Sequence, residues 1–530
     1  MTTLLIAINA KYTHTNLAVR YLQNALAQSG IPAHFSEYTI NQSAREILTD
    51  LVRQQPERLL FSCYIWNIAH VQTVATEYRL LFPHAQILLG GPEVSFDAEQ
   101  LLAQMPWANA IVCGEGELLL PQVLHHAQVS GVYRANACVD LDALPFPYQD
   151  LSTLVNRVLY YESSRGCPYG CAYCLSSADT RVRWRSLPNV YADLQRFLDA
   201  RVMKVKFVDR TFNLNAARDL AIWRYLIAND NGVTSFQMEL GGDLTTPEQL
   251  ALLKTARVGL FQFEIGVQST SPETLRQVAR ATDMEKLKAN VATVKQAKNI
   301  HQHLDLIAGL PSEGFDRFAQ SYNEVFAMRP EQLQLGFLKL LRGSRLYGQR
   351  EALGLLHSPH APYEVLQTPA LSFQQLSRLK VVEAMTEAYY NSGRFTNQLE
   401  YLLAFCQSPF DALLLLGEGF PQRKVTQYEY YDLLYAFALA QGCAPERMAW
   451  LMRLDLCLHE RPHKLPRGCA PGAPPQERKA RLPKEQGADC YFDLFPSEIV
   501  GVKGTATVVL AFDYAHRDPW GHAAVTVENA

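Results

Sequence analysis

No apolar run in this chain of 530 residues is long enough to span a membrane, and its first residues, MTTLLIAINAKYTHTN, put only LLIAI together. A basic n-region and a small-residue cleavage site are both missing there, so neither export nor membrane insertion is expected. Charge of one sign is also lacking. A net charge of −3, with 19% charged and 48% hydrophobic residues, gives no broad basic surface for tight nucleic-acid binding. RNA is left as a substrate that composition does not support. No G-x-G-x-x-G separates the first strand from its helix and no G-x-x-x-x-G-K-[ST] occurs there, which disfavours an NAD or nucleoside triphosphate site. The eleven cysteines are an odd number, scattered along a chain without a signal peptide. They read as cytosolic thiols with one special cluster, not as a disulfide scaffold, and a cytoplasmic protein is expected.

The length exceeds what one core supports, so two or three domains are expected. From residue 1 to about 130, short apolar strands alternate with amphipathic segments: LLIAI, a helix near 17–28, AHFSEY, a helix near 43–54, RLLFSC, a helix from about 67, then units built on QILLGG and AIVCGEGE. Five strand–helix units predict a doubly wound parallel sheet over 1–135, with helices on both faces. Such sheets bind ligands beyond the carboxyl ends of their strands. The loops there contain Asn9, Tyr12 and His14, then Cys63 to Asn67, Gly90-Gly91-Pro92-Glu93, and Gly114-Glu115-Gly116-Glu117. One glycine after a strand is ordinary turn chemistry. Several on one rim point to a cofactor, because glycine lets backbone approach a ligand closely.

After ALPFPYQDL a second series follows: VLYYESS, KVKFVD, SFQMEL, LFQFEIGVQS, HLDLIAGLP and QLQLGFLKL. Six strand–helix repeats over 150–350 predict a full or partial parallel barrel, whose chemistry belongs at the carboxyl ends of its strands. From 370 to 530 the chain turns to Leu, Ala and Tyr-rich helices, a Pro- and Gly-rich stretch at 462–487 that reads as a mobile linker, and a β-rich tail, EIVGVKGTATVVLAFDY. The tyrosines of 428–435 read as helix core and surface.

The chemistry-bearing stretch is SRGCPYGCAYCLSS, directly after the first strand of the second series. Cys167, Cys171 and Cys174 could be part of a zinc site, a disulfide or an open cluster cradle. A structural zinc needs four ligands and would have to recruit a distant one, since neither Cys138 nor Cys406 belongs to a second C-x-x-C. Three cysteines around a [4Fe-4S] cluster leave one iron open, which suits a cluster that binds substrate.

The spacing C-x3-C-x2-C on a short glycine-containing loop, with Tyr173 before the last cysteine and barrel repeats after it, resembles the radical S-adenosylmethionine (SAM) superfamily. The resemblance implies that Cys167, Cys171 and Cys174 hold the cluster. It also implies that SAM chelates the open iron, and that reductive cleavage gives a 5′-deoxyadenosyl radical, with the electron from a flavodoxin- or ferredoxin-type donor. It places Tyr173 near the adenine, and Asp209 and Arg210 (VDRTFN), Glu264, Gln268 and Ser269 (EIGVQS) and Gly309 (AGLPSE) around SAM. Asp209 and Glu264 could accept from its amino group or ribose and Arg210 could meet its carboxylate, while each is equally readable as a buried strand-end cap. Arg181, Arg183 and Arg185 alternate and read as a solvated face.

A doubly wound domain before such a barrel, with its GGPE and GEGE loops, resembles the cobalamin (B12)-binding subfamily. NAKYTHTNLAVRYL and the helical tail ending in FDY resemble its branch carrying the C-terminal domain DUF4080. The subfamily implies cobalamin near Asn9, Tyr12, His14, Gly90, Gly91, Gly114, Glu115 and Gly116. This chain departs from the Asp-x-His-x-x-Gly pattern that many cobalamin domains carry: His14 lacks both the Asp and the Gly and is not assigned to cobalt. The leading expectation is a cobalamin-dependent radical SAM methyltransferase acting on an unactivated carbon, its substrate unnamed by the sequence. The alternatives are a cyclase or rearrangement enzyme of the same chemistry, and a zinc-stabilised corrinoid- or metabolite-binding protein.

Overall fold

The structure, a computed structural model, describes residues 1–154, 156–471, 489–503, 507–518 and 521–528. Two compact units divide it: Met1–Gln302 with Ile307–Gly314 and Gly336–Ser372, and His303–Leu306 with Phe315–Leu335 and Phe373–Ala530.

The first unit begins with an α/β sheet. β1 (Thr3–Asn9) is buried along its whole length, as a strand covered on both faces must be. Its alternate side chains divide between two cores. Leu4, Ile6 and Ile8 pack with Ile47, Leu48, Val71 and Val74, whereas Leu5 and Ala7 pack with Val19, Leu26, Leu120 and Val123. Those partners come from α2 (Ala44–Gln54) and α3 (Ile68–Leu81) on one face, and from α1 (Leu17–Gln28) and Gly116–Leu124 on the other. Full burial of each such side chain is worth roughly 1.5–3 kcal/mol. Asn16 caps α1 by accepting from Val19 N, and a Ser43–Glu46 capping box starts α2.

β2 (Ala33–Thr39), β3 (Arg58–Ser62), β4 (Gln86–Gly90), β5 (Ala110–Cys113) and β6 (Gly131–Arg134) complete the sheet in the order β2-β1-β3-β4-β5-β6, every neighbour parallel. Sequence periodicity predicts five strands. The sixth, β6, is a four-residue edge strand with only partial burial, too short and too little alternating to stand out. The order reverses at β1, and that switch point opens a crevice at the carboxyl edge.

β7 (Val158–Tyr161) begins the second sheet, followed by a hairpin of β8 (Ser164–Arg165) and β9 (Arg183–Trp184). β10 (Lys204–Phe207), β11 (Ser235–Leu240) and β12 (Phe261–Gln268) continue from β7 in parallel register. β13 (His301–Ala308) and β14 (Gln332–Phe337) bring the sheet to six strands, so the barrel is partial. β12 alternates strictly: Phe261, Phe263, Ile265 and Val267 are buried, and Gln262, Glu264, Gly266 and Gln268 take the other face. Polar bridges cross that second face, with Lys204 Nζ 2.7 Å from Gln262 Oε1 and Lys206 Nζ 2.8 Å from Glu264 Oε2. The β1 loop closes onto the free edge of β7, since Val158 N donates to Thr13 O at 2.7 Å and Thr15 N to Val158 O at 3.3 Å. A small hairpin of β15 (Leu356–His357) and β16 (Val365–Gln367) ends the unit.

In the second unit the helices Phe373–Met385, Thr396–Leu403, Pro409–Glu418, Gln427–Ala440 and Pro445–His459 precede an antiparallel sheet of β17 (Cys490–Pro496), β18 (Thr507–Arg517) and β19 (Ala523–Glu528). Tyr431 is buried against Phe395, in keeping with a packing role for that aromatic stripe. The tail is β-rich, but its first strand is the upstream CYFDLFP, and 498–501 turns instead of extending. Most of the proline-rich linker, 472–488, lies outside the described residues. Among the described residues no helix is long and apolar enough to cross a membrane.

Candidate active site

A cavity of about 690 Å³ opens at the carboxyl edge of the first sheet. Its lining takes Asn9, His14, Gly90, Gly91, Gly114, Glu115 and Gly116 from that edge, and Tyr160, Glu162, Ser164, Arg165, Gly166 and Arg210 from the barrel domain. Thus the expected rim loops do converge, and the stretch entering the cysteine loop faces them. Tyr12 departs from expectation: it is 72% exposed, lies under the Arg157 guanidinium and does not line the cavity.

Two glycines make this edge possible. Gly91 has φ +106°, and a Cβ there would stand 2.5 Å from Cys63 O; Gly114 has φ +90° with Ala135 Cβ 3.1 Å away. A larger residue at either position would be strained by the positive φ, and at Gly91 it would collide with the Cys63 backbone and displace the rim. Cys63 leads into a wall where Tyr64 and Trp66 stack at 4.3 Å, Trp66 pinned by a 3.1 Å bond from its Nε1 to Ile8 O. Asn9 braces the β1 loop, its Nδ2 donating to His14 O at 3.1 Å. His14 itself is held by a side chain, Nδ1 lying 3.0 Å from Tyr160 Oη, and not by backbone as a lone loop histidine usually is. Burial, then Lys11, Lys206 and Lys204, push its pKa down.

Charge across the cavity is organised around Arg165. Its Nη2 is 2.8 Å from Glu117 Oε1 and 2.7 Å from Glu162 Oε2, and its Nη1 is 3.3 Å from Glu115 Oε1. Glu115 also accepts from Arg183, at 2.5 Å, and from Val139 N, at 2.6 Å. Burial raises the Glu115 pKa, but these donors outweigh it and the carboxyl ends below its usual range. Glu162 is more deeply enclosed, and there burial wins over Arg165 and raises the pKa. The solvated face expected for the alternating arginines is therefore wrong for two of them. Arg183 is spent on Glu115, and Arg185 is buried, 2.8 Å from Asp193 and bonded to Leu144 O at 2.9 Å. Only Arg181 is solvated.

Cys167, Cys171 and Cys174 form no disulfide, so the disulfide reading falls. Cys167 and Cys171 are buried and Cys174 half-buried, on the loop joining β8 to β9. Gly166 shapes its start: φ is +98° and a Cβ would meet Arg181 O at 2.1 Å, while Cys167 N closes onto Asp179 O at 3.1 Å. Among the described residues no three His, Cys, Asp or Glu side chains are grouped to hold a metal ion. That holds for a zinc knuckle and for the three thiols alike, so ligand number separates the two readings: a closed zinc site needs four, and this loop offers three. Three thiols on one loop, with a half-buried guanidinium beside them, suit an iron–sulfur cluster that keeps one iron open. That guanidinium is Arg280, with Nη1 3.8 Å from Cys171 Sγ and Nη2 bonded to Gly266 O.

The remaining predicted residues lie outside the cavity lining. Tyr173 carries a buried hydroxyl without a partner, and Gln268 a buried Oε1 without one, at a backbone φ of +71°. Unpaired buried polar atoms of this kind fit a site that awaits a polar ligand such as SAM. Asp209 is fully buried, its oxygens accepting from Ser163 N at 2.8 Å, Ser163 Oγ at 2.7 Å and Ser164 Oγ at 2.6 Å. Glu264 accepts from Lys206 and Gln237, and Ser269 Oγ donates to Glu313 at 2.7 Å. Gly309 has φ +88° at the end of β13. For Asp209, the strand-end reading describes the observed bonds.

Sequence reasoning missed Arg165, Glu162 and Arg280. The first two stand just ahead of the first cysteine in ESSRGC, and a charged pair three residues apart at a strand end is a usable signal. Arg280 carried none, being separated from Cys171 by 109 residues.

The chain matches the B12 binding domain over residues 3–124, the radical SAM superfamily over 161–325, and the protein of unknown function DUF4080 over 351–487. It is 24% identical over 412 residues to the cobalamin-dependent radical SAM methyltransferase TokK of Streptomyces tokunonensis, covering 69% of this chain and 59% of that protein. A 2-(S-pantetheinyl)-carbapenam-3-carboxylate methyltransferase of Streptantibioticus cattleyicolor is 25% identical, over 49% of this chain and 43% of its own. The chain thus spans about three fifths of the first relative and under half of the second. In fold it resembles the radical SAM methyltransferase TsrM from Kitasatospora setae, solved with cobalamin and a [4Fe-4S] cluster (TM-score 0.56, 14% identity, 86% of this chain and 99% of that one). The cobalamin-dependent SAM radical enzyme OxsB, solved with aqua-cobalamin, is equally similar (TM-score 0.57, 14% identity, 86% and 79%).

Proposed function

The chain is a radical SAM protein with a B12-binding domain and a DUF4080 segment, and we propose that it is a cobalamin-dependent methyltransferase acting on an unactivated carbon. The observation that supports this most is one cavity lined both by the glycine loops of the first sheet and by Ser164, Arg165 and Gly166 at the entry to the cysteine loop. Two cofactors held on those two sides would face each other. When bound, a [4Fe-4S] cluster, SAM and cobalamin supply radical generation and a transferable methyl group.

The chain's own residues bind, space and shield. Cys167, Cys171 and Cys174 would ligate the cluster, with the Arg280 cation close to Cys171. Arg165, tied at once to Glu115, Glu117 and Glu162, fixes the spacing between the GEGE loop and the cysteine loop. Gly90, Gly91, Gly114 and Gly116 give a corrinoid close backbone contact, and His14, turned to Tyr160, is not needed as a ligand. Tyr173, Arg210, Gln268 and Gly309 would surround SAM, and we assign residues 1–135, 150–350 and 370–530 to three domains. A flavodoxin- or ferredoxin-type carrier supplies the electron, and eleven cysteines scattered along the chain suit the cytoplasm.

Anaerobic reconstitution with iron, sulfide and hydroxocobalamin, followed by incubation of cell metabolites with methyl-deuterated SAM, tests the reading. Label is expected in a product, and radical cleavage of SAM without label would favour a rearrangement enzyme instead. A triple Cys→Ala variant of the three cysteines that kept a full cluster would refute the ligand assignment.

A further inference from the structure

The match to the domain of unknown function begins at Glu351, yet Gly336–Ser372 belongs to the same compact unit as the two cofactor-type domains. This stretch leaves β14 as a strap whose two arms pair: Leu340 N donates to Tyr363 O at 3.0 Å and Val365 N to Leu338 O at 2.8 Å. It is anchored at two places. On the cysteine loop, Leu346 N bonds Ala172 O at 2.8 Å and Arg345 Nη2 bonds Gly170 O at 3.2 Å. On the first sheet, Tyr363 Oη donates to the Glu93 carboxylate, and Gly343 lies against Phe96, whose ring a Cβ would meet at 2.2 Å.

Glu93 sits at a junction. Its N–H points to Cys63 O at 3.4 Å, and Cys63 N bonds Gly90 O at 2.7 Å, so the β4 loop is tied to the segment that leads into the Tyr64–Trp66 wall. Tyr363 is held at φ +57°, a left-handed conformation that a bulky residue adopts only under constraint, and such strain gathers where geometry matters. We propose that Tyr363 is a positioning residue: through Glu93 it clasps the Gly90–Glu93 loop, and with it one wall of the cavity, in the shape that accepts a corrinoid. The first stretch of the DUF4080 region thereby serves the site of the first domain. The proposal rests on the corrinoid reading of the cavity.

Full-length wild type, Y363F, E93A and E93Q are compared by amide hydrogen exchange and by titration with hydroxocobalamin followed by absorbance. A hydrogen bond to a carboxylate is strong enough to change an equilibrium about tenfold. Y363F and E93A are expected to exchange about tenfold faster over 88–97, with strands at 204–207 and 235–240 unchanged, and to bind hydroxocobalamin about tenfold more weakly. E93Q keeps an acceptor and is expected to stay within twofold of wild type. Wild-type exchange over 88–97 in Y363F, faster exchange spread over the whole unit, or faster local exchange with undiminished affinity would each overturn the clasp. Failure of the wild type itself to bind hydroxocobalamin refutes the corrinoid reading, and the exchange data then decide the clasp alone.

Discussion

Replacing Gly166 by Ala should empty the cysteine loop, whereas the same change at Gly170 should not. The two glycines sit on either side of Cys167, and their surroundings are opposite. At Gly166 a Cβ would stand 2.1 Å from Arg181 O and 2.9 Å from Arg181 C, backbone atoms that cannot rotate away, and φ is +98°. At Gly170 nothing lies within 4 Å of the Cβ position. A non-glycine residue with a left-handed backbone costs about 1–2 kcal/mol. Forcing a methyl group into a filled site costs about 1–3 kcal/mol more. At roughly 2–5 kcal/mol, the population of the observed loop falls between about thirtyfold and several thousandfold. A chain with two compact units need not unfold in one step, so a local assay is the appropriate one. Iron and sulfide per chain after anaerobic reconstitution, with hydrogen exchange over 164–184, report on the loop directly. G166A is expected to lose most of its iron and gain exchange, and G170A to match wild type. If G166A loads iron as wild type does, or if both variants fail alike, the steric account of this loop is wrong.

Removing the charge of Arg165 leaves Glu115, Glu117 and Glu162 facing one another, so R165A should lose about 3 kcal/mol of local stability, read as faster amide hydrogen exchange over 114–117 and 162–166, with R165K recovering part. In a cycle with E162Q the two losses should be less than additive. Asp219 is buried with both carboxylate oxygens unpartnered, and burial raises its pKa from 3.8 to about 8. The folded chain therefore holds a proton that the unfolded chain has lost, and this contribution to stability is lost as pH rises from about 4 to about 8. D219N should melt higher than wild type by a margin that grows across that window and then levels off. His459 behaves oppositely: burial, with His522, Arg394 and Arg517 nearby, lowers its pKa from 6.5 to about 4 against the raising effect of Gly393 O. Stability from the second unit should be lost as pH falls from 6.5 towards 4, and H459Q should flatten that loss, as read by melting temperature against pH.

Much of this protein is written locally. The LLIAI run, the Ser43-x-x-Glu46 box, the strict alternation of FQFEIGVQ and the glycines after β4 and β5 each act over a few residues, so periodicity and turn chemistry reveal both sheets and the rim loops. The cysteine spacing is equally local, because three thiols on one loop need no other part of the chain to be recognised. Pairing across the fold is different in kind. Arg183 meets Glu115 over 68 residues, Arg280 meets Cys171 over 109, and Tyr363 meets Glu93 over 270. Nothing in the alternation of Arg181, Arg183 and Arg185 tells a solvated face from one buried and one half-buried ion pair. That is settled by which loops the strand order brings together at one carboxyl edge. Asp209 illustrates the same divide: its position at a strand end is readable, but its engagement by Ser163 and Ser164 is not. Side-chain type and spacing specify elements and chemistry, whereas burial, partner and charge state belong to the assembled fold, since each depends on desolvation and on contacts between residues far apart in the chain.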